Sequence, residues 1–290
     1  MTPDPTSTPP PEIIAALCEQ WPGELKEWRR LAGGRTNATW RGQGVNGDVV
    51  VKLYSGTRRN PLFPNEPDAE VKVLEALAPL GFAPRSVFAF RSGIGRCVAY
   101  RYLPGDMWRH DTRKVGRLLR RLHGIAPPGG LRRCPDGSAA LLDHAKRILS
   151  RCRQHGDLAR LRPSLDVSPS GKTAFLHGDV VPGNLIVSES ALCLIDWQCP
   201  GIGDPCEDIA VFLSPAMQKV YRGAPLSAAE IERFFEGYDC ATIRARYVAL
   251  APAYHWRMAA YCQWQTENGQ PDYVEALREE RAALESSRAA

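Results

Sequence analysis

Residues 174–208 read AFLHGDVVPGNLIVSESALCLIDWQCPGIGDPCED, and three polar side chains in this stretch stand against strand-like apolar runs. Asp179 follows Ala174-Phe175-Leu176-His177-Gly178. Asn184 comes five residues later, past Pro182 and Gly183. Asp196 ends a second apolar run, Ala191-Leu192-Cys193-Leu194-Ile195. Ser188-Glu189-Ser190 reads as the turn of a hairpin joining Leu185-Ile186-Val187 to Leu192-Cys193-Leu194. A hairpin brings its ends together, so Asn184 and Asp196 are expected to meet there, with Asp179 beside them on the loop.

Phosphoryl transfer needs this donor set. A polyphosphate leaving group requires magnesium, and magnesium requires oxygen ligands, which Asn184 and Asp196 offer. A separate carboxylate must receive the proton of the attacking hydroxyl, and Asp179 fits that role. Asp and Asn also cap their own backbone in turns, so neither residue decides alone. Together, with His-Gly before the first and Ile-Asp-Trp at the last, they form a specific pattern.

The spacing Asp, four residues, Asn is that of the protein-kinase catalytic loop. The stretch resembles the aminoglycoside phosphotransferase and choline kinase family. His177 to Asn184 resembles its catalytic loop, and Ile195-Asp196-Trp197 and Gly203 to Asp208 its next two motifs. The resemblance runs from about Leu31 to about residue 265. It implies an α+β, protein-kinase-like, two-lobed fold, with a small antiparallel-sheet N-lobe and a larger, mainly helical C-lobe. It also implies ATP and Mg2+ as cofactors and a small-molecule acceptor.

Upstream, Leu31 to Trp40 carries Gly33-Gly34 between strand-like segments, the second spanning Ala38 to Gln43. Asn46-Gly47 then turns the chain into Asp48 to Tyr54. Small residues let backbone N–H groups and the Thr36 hydroxyl approach phosphates closely. The loop resembles the family's short nucleotide loop, which puts Gly34, Thr36 and Asn37 at the nucleotide. Lys52 ends a Val-Val-Val run, where a buried ammonium needs a partner. The next helix supplies one: Asn65 is its expected cap, Pro67 suits its first turn, and Val71, Leu74 and Leu77 mark its apolar face. The resemblance selects Glu70, which would pair with Lys52 to hold it on the phosphates; Glu66, one turn earlier, is the alternative. The resemblance further assigns backbone groups from Arg101 to Leu103 to the nucleotide base.

The expected organisation is a disordered tail over 1–11, an N-lobe over 12–102, a hinge over 103–106 and a C-lobe over 107–290. The C-lobe should hold helices from Asp111 to His123, from about Ser138 to His155, from Asp208 to about Leu213 and from Ala241 to Thr266. A polar loop is expected over 156–172. Leu226 to Ile231 reads as a capping box opening a helix through Tyr238, and a charged tail helix starts near Pro271.

The chain has 290 residues, 44% hydrophobic and 24% charged, which is ordinary globular composition. No apolar run approaches the roughly 20 residues of a membrane span, and the start lacks the layout of a secretory signal. Nine cysteines, an odd number without a CxxC pair, fit reduced thiols in the cytoplasm. The densest basic run, Arg113 to Arg121, has leucines at helical spacing and no accompanying stacking pattern, so no nucleic-acid partner is expected.

Gly178 stands where protein kinases carry an arginine that reads a phosphorylated loop. Residues 197 to 203 leave no room for a regulated activation segment. The expectation is therefore a constitutively active small-molecule kinase. Tyr254, Trp256, Tyr261 and Trp264 favour choline or a related amino alcohol if their faces are open, but Tyr254, Met258, Tyr261 and Gln265 follow helical spacing, which makes a packing stripe the stronger reading. An aminoglycoside is the alternative acceptor. A nucleotide-binding pseudokinase is the reading from another class, which intact Lys52, Asp179, Asn184 and Asp196 weigh against.

Overall fold

The computed structural model describes all residues except 1–6, 22, 32–35, 55–59, 82, 190 and 290, and omits the side chains of 86, 87, 288 and 289. The expected phosphate-loop residue Gly34 therefore lies outside the described residues. The chain divides into two compact units. One holds residues 1–106 and 186–199, and the other holds 107–185 and 200–290. The fold is α+β, with an antiparallel sheet in the first unit and a mainly helical second unit.

The first unit is built on strands β1 (Leu25–Arg30), β2 (Ala38–Gly44), β3 (Val49–Tyr54), β4 (Ser86–Ser92) and β5 (Gly95–Arg101), in the order β1-β2-β3-β5-β4. The central strand β3 pairs antiparallel with β2 and β5, placing Lys52 opposite Thr39 and Val98. Side chains alternate along a strand. Val49 and Val51 thus join a core with Ile13 and Leu17 of helix α1 (Pro11–Cys18), Trp21, Trp40, Phe90, Cys97 and Ala99. Lys52 and Tyr54 share the opposite face, where both reach Glu70 of helix α2 (Pro67–Leu77). Residues 7–10, assigned by sequence to the tail, lead into α1; Pro9 is buried, and the Pro10 carbonyl accepts from Ile13 and Ile14.

Two expectations about α2 are corrected. Its N-cap residue is Glu66 and no side chain caps it; Asn65 is instead bonded to Asn37. The buried face is Glu70, Val73, Leu74 and Leu77 rather than one containing Val71. These positions follow the i, i+3, i+4, i+7 pattern. Glu70 is therefore part of the inward stripe itself.

The second unit contains α3 (Thr112–Leu122), α4 (Ser138–Leu149), α5 (Gly156–Arg160), α6 (Cys206–Leu213), α7 (Pro215–Arg222), α8 (Ala228–Tyr238), α9 (Ala241–Glu267) and α10 (Tyr273–Ala289). The helix expected to run from Ser138 to His155 stops at Leu149, and α5 occupies part of the expected loop. Ser227 and Glu230 form the expected capping box on α8. The rings of Trp108, Phe212, Phe234 and Tyr238 pack in sequence, with neighbouring centroids 5.2–6.2 Å apart.

Helices α3 and α8 meet through glycines. A β-carbon on Gly237 would lie 2.1 Å from the Arg113 carbonyl oxygen, and one on Gly116 would lie 2.2 Å from that of Phe234. Gly237→Ala should therefore lower stability by about 1–3 kcal/mol, because the overpacking cost exceeds the ~0.5–1 kcal/mol gained in helix propensity. Urea unfolding checks this; a variant at or above wild-type stability would mean that the crossing can widen freely.

A small sheet delivers the polar stretch of the quoted sequence to its position. Strand Gly201–Gly203 runs antiparallel to Ala174–Leu176 and parallel to Arg132–Arg133. The ends of the two antiparallel partners therefore launch His177 to Asn184 and Asp204 to Asp208.

Candidate active site

In the first unit, Lys52 is 2% exposed in the middle of the sheet. Its ammonium donates to Glu70 Oε2 at 3.0 Å and to Asp196 Oδ1. Tyr54 also donates its hydroxyl to Glu70 Oε2. Burial works against the charged lysine, but the Asp196 and Glu70 carboxylates more than offset it and hold Lys52 above the usual lysine range. Of the two candidate carboxylates on or near α2, Glu70 makes the pair.

Asp196 sits at φ +62°, in the left-handed region that Asp tolerates better than most residues. Its side chain is 27% exposed. Among the described residues its second carboxylate oxygen has no protein donor, which suits a hard cation. The turn before it closes through the Ser188 N–H to the Ala191 carbonyl, 2.9 Å, between strands Leu185–Val187 and Leu192–Leu194. This is the hairpin read from the sequence.

Asn37, expected at the nucleotide, is 5% exposed, and its amide is bonded to the side chains of Asn65 and Gln198. The Arg101 guanidinium donates to the Asn46 carbonyl and lies over the Trp21 ring, 4.6 Å from its centre. The Arg101 and Tyr102 N–H groups are taken by the carbonyls of Arg85 and Asp48. The Leu103 N–H has no backbone acceptor among the described residues.

In the second unit, Asp179 is 8% exposed, and its N–H donates to His177 Nδ1 at 3.2 Å. The Asn184 amide nitrogen donates to the Asp179 carbonyl at 2.9 Å. A carbonyl only accepts, so this bond fixes which end of the amide is nitrogen. The amide oxygen is left as an acceptor with no protein donor among the described residues. Asn184 thus offers a neutral oxygen of the kind magnesium takes.

Asp208 does something the sequence reading did not foresee. The expected helix start at Asp208 lies two residues earlier, at Cys206, whose N–H is accepted by Asp204 at 3.0 Å. The fully buried Asp208 carboxylate instead accepts from the His177 N–H (2.9 Å) and the Gly178 N–H (2.8 Å). His123 Nε2 lies 3.1 Å from it, and Tyr238 bonds the other ring nitrogen at 2.8 Å. Gly178 has φ +81°, a conformation that favours glycine. The sequence signal was an acid in the first turn of a helix, which points equally to a cap.

Burial alone would raise the Asp208 carboxyl, but the hydrogen bond and charge of His123, with the backbone N–H of Gly178, hold it below the ordinary carboxylate range. A carboxyl lowered in the folded state adds stability that is full above its unfolded value and lost as pH falls through its folded one. Asp208→Asn should cost roughly 1–3 kcal/mol at neutral pH and flatten the decline in stability below about pH 4. Urea midpoints from pH 7 to 3 read both effects; an unchanged acid limb would remove Asp208 as a contributor.

Tyr254, Trp256, Tyr261 and Trp264 of α9 are all buried. Trp256 donates its indole N–H to the Leu158 carbonyl at 2.7 Å, Tyr261 and Trp264 stack at 6.0 Å, and Arg257 covers Tyr254 at 5.1 Å. They form a packing stripe and present no open faces to a cation.

The chain belongs to the phosphotransferase enzyme family (APH), whose model matches residues 27–251. It is similar to thiamine kinase of Escherichia coli O17:K52:H18, with 31% identity over 180 residues, covering 58% of this chain and 62% of that protein. The match thus spans about 62% of the length of the curated relative. Among solved structures, a choline/ethanolamine kinase family protein from Mesorhizobium loti aligns with TM-score 0.65 at 18% identity, covering 92% of this chain and 89% of that one. Choline kinase LicA from Streptococcus pneumoniae aligns with TM-score 0.64 at 17% identity, covering 91% and 94%. The fold is protein-kinase-like.

Proposed function

We propose that the protein transfers the γ-phosphoryl group of ATP to a hydroxyl of a small nitrogen-bearing alcohol. The observation that carries this reading is the buried Lys52 ammonium held by both Glu70 and Asp196. A cation kept charged beside a half-open carboxylate is suited to polyphosphate. Lys52 contacts the phosphates, and the oxygens of Asn184 and Asp196 hold Mg2+. When bound, that ion neutralises charge on the phosphates. Asp179 aligns the acceptor hydroxyl and receives its proton. Thr36 lines the phosphates, and the Leu103 N–H reads the base.

The barrier falls mainly through positioning and charge neutralisation, because a loose transition state asks little covalent help of the protein. The case for choline from the α9 aromatics is gone, since those rings are buried; the relatives put thiamine beside choline and ethanolamine as acceptors to test. Nine free cysteines support a reducing, cytoplasmic setting.

The test is an ADP-release assay with ATP and Mg2+ across thiamine, choline, ethanolamine and kanamycin, with Asp179→Asn as control. Acceptor-dependent ADP release that is lost in the control is expected with one of them. ADP release equal in the control, or absent with every acceptor while ATP binds, would count against the reading.

A further inference from the structure

Three side-chain amides in the first unit form a buried junction. Asn37 Nδ2 donates to Asn65 Oδ1 (2.8 Å) and to Gln198 Oε1 (2.7 Å), and Asn65 Nδ2 returns a bond to Asn37 Oδ1 (2.8 Å). Asn37 and Gln198 are 5% and 4% exposed. The Gln198 carbonyl also accepts the Glu66 N–H at 2.8 Å.

Each amide belongs to a segment that carries, or pairs directly with, a charged group of the site. Asn37 immediately precedes β2, whose Thr39 lies opposite Lys52. Asn65 and Glu66 lead into α2, which carries Glu70. Gln198 lies two residues after Asp196. Lys52 must meet two carboxylates from two different segments. Ion-pair attraction is non-directional and does not set where Asp196 stands; directional hydrogen bonds with fixed donors and acceptors do.

We propose that Gln198 and Asn37 are positioning residues for metal-nucleotide binding: they hold the Asp196 segment against α2 and β2 without touching the nucleotide. This rests on the reading of Asp196 as a metal-binding group. Gln198→Met keeps length and removes the acceptor, whereas Gln198→Glu keeps an accepting oxygen for Asn37.

Calorimetric titration with ADP, once with Mg2+ and once in EDTA, separates the possibilities, with thermal melts confirming folding. Gln198→Met should weaken Mg-ADP about tenfold, equivalent to losing one good hydrogen bond. Metal-free ADP should stay within about twofold, and Gln198→Glu should keep Mg-ADP within about threefold of wild type. Equal weakening of both ADP forms, or a folded Gln198→Glu as weak as Gln198→Met, would overturn the proposal. Asp196→Ala is the parent control. Loss of Mg-ADP in Asp196→Ala with none in Gln198→Met refutes the positioning role alone. No loss in Asp196→Ala refutes the metal reading and this proposal with it.

Discussion

Asp179→Asn is expected to lower kcat by about a thousandfold, within the roughly 10²–10⁴ that a positioned general base contributes, while Mg-ATP affinity stays within about twofold. The amide is nearly isosteric. The backbone bonds that fix the loop do not involve the Asp179 carboxylate: the Asp179 N–H to His177, the Asn184 amide to the Asp179 carbonyl, and the His177 and Gly178 N–H groups to Asp208. The substitution therefore removes proton acceptance and leaves these bonds in place. Steady-state kinetics with the identified acceptor, paired with nucleotide titration, checks the split. A modest kcat effect with a large rise in KM for ATP would reassign Asp179 to ground-state binding.

Lys52→Met is expected to cost about 3–5 kcal/mol of stability and to abolish turnover, since it strands Glu70 as an uncompensated buried charge. The Lys52 and Glu70 side chains are 3% and 1% exposed, so solvent cannot make up for the lost partner. Lys52→Met/Glu70→Leu should recover more than half of that stability, because well-packed apolar replacements of a buried pair are often neutral. It should recover none of the activity. Chemical denaturation and the phosphotransfer assay, run on the same preparations, separate the two roles. Recovered activity in the double variant would show that the ammonium is dispensable for chemistry.

The sequence revealed the site where chemistry and periodicity pointed the same way. A lysine in a valine run demands an anion; Glu66 and Glu70 are both candidates, the family resemblance selects Glu70, and Lys52 pairs with Glu70. The apolar runs around Ser188 likewise announced their hairpin. The reading failed where partners lie far apart in the chain. Asn65 looked like a cap because it precedes Pro67, but its partner Asn37 is 28 residues away. Asp208 looked like a helix starter, but its carboxylate serves N–H groups 30 and 31 residues upstream. Nothing local distinguishes these uses. The α9 aromatics were open to two readings because helical spacing fixes which residues share a face and leaves open whether that face is covered.

The return of residues 186–199 to the first unit has a consequence for how the protein is made. Lys52 and Asp196 are 144 residues apart in the chain. At a synthesis rate of about 5–20 residues per second, Asp196 emerges roughly 7–30 s after Lys52. Until then the nascent sheet has its lysine and Glu70 but lacks the last piece of its own unit. The helical segments from 107 to 185 are translated during that wait. A protease cut or gene split anywhere between 106 and 186 therefore separates the amino-terminal unit from part of itself, and neither fragment alone carries all three members of the Lys52 cluster.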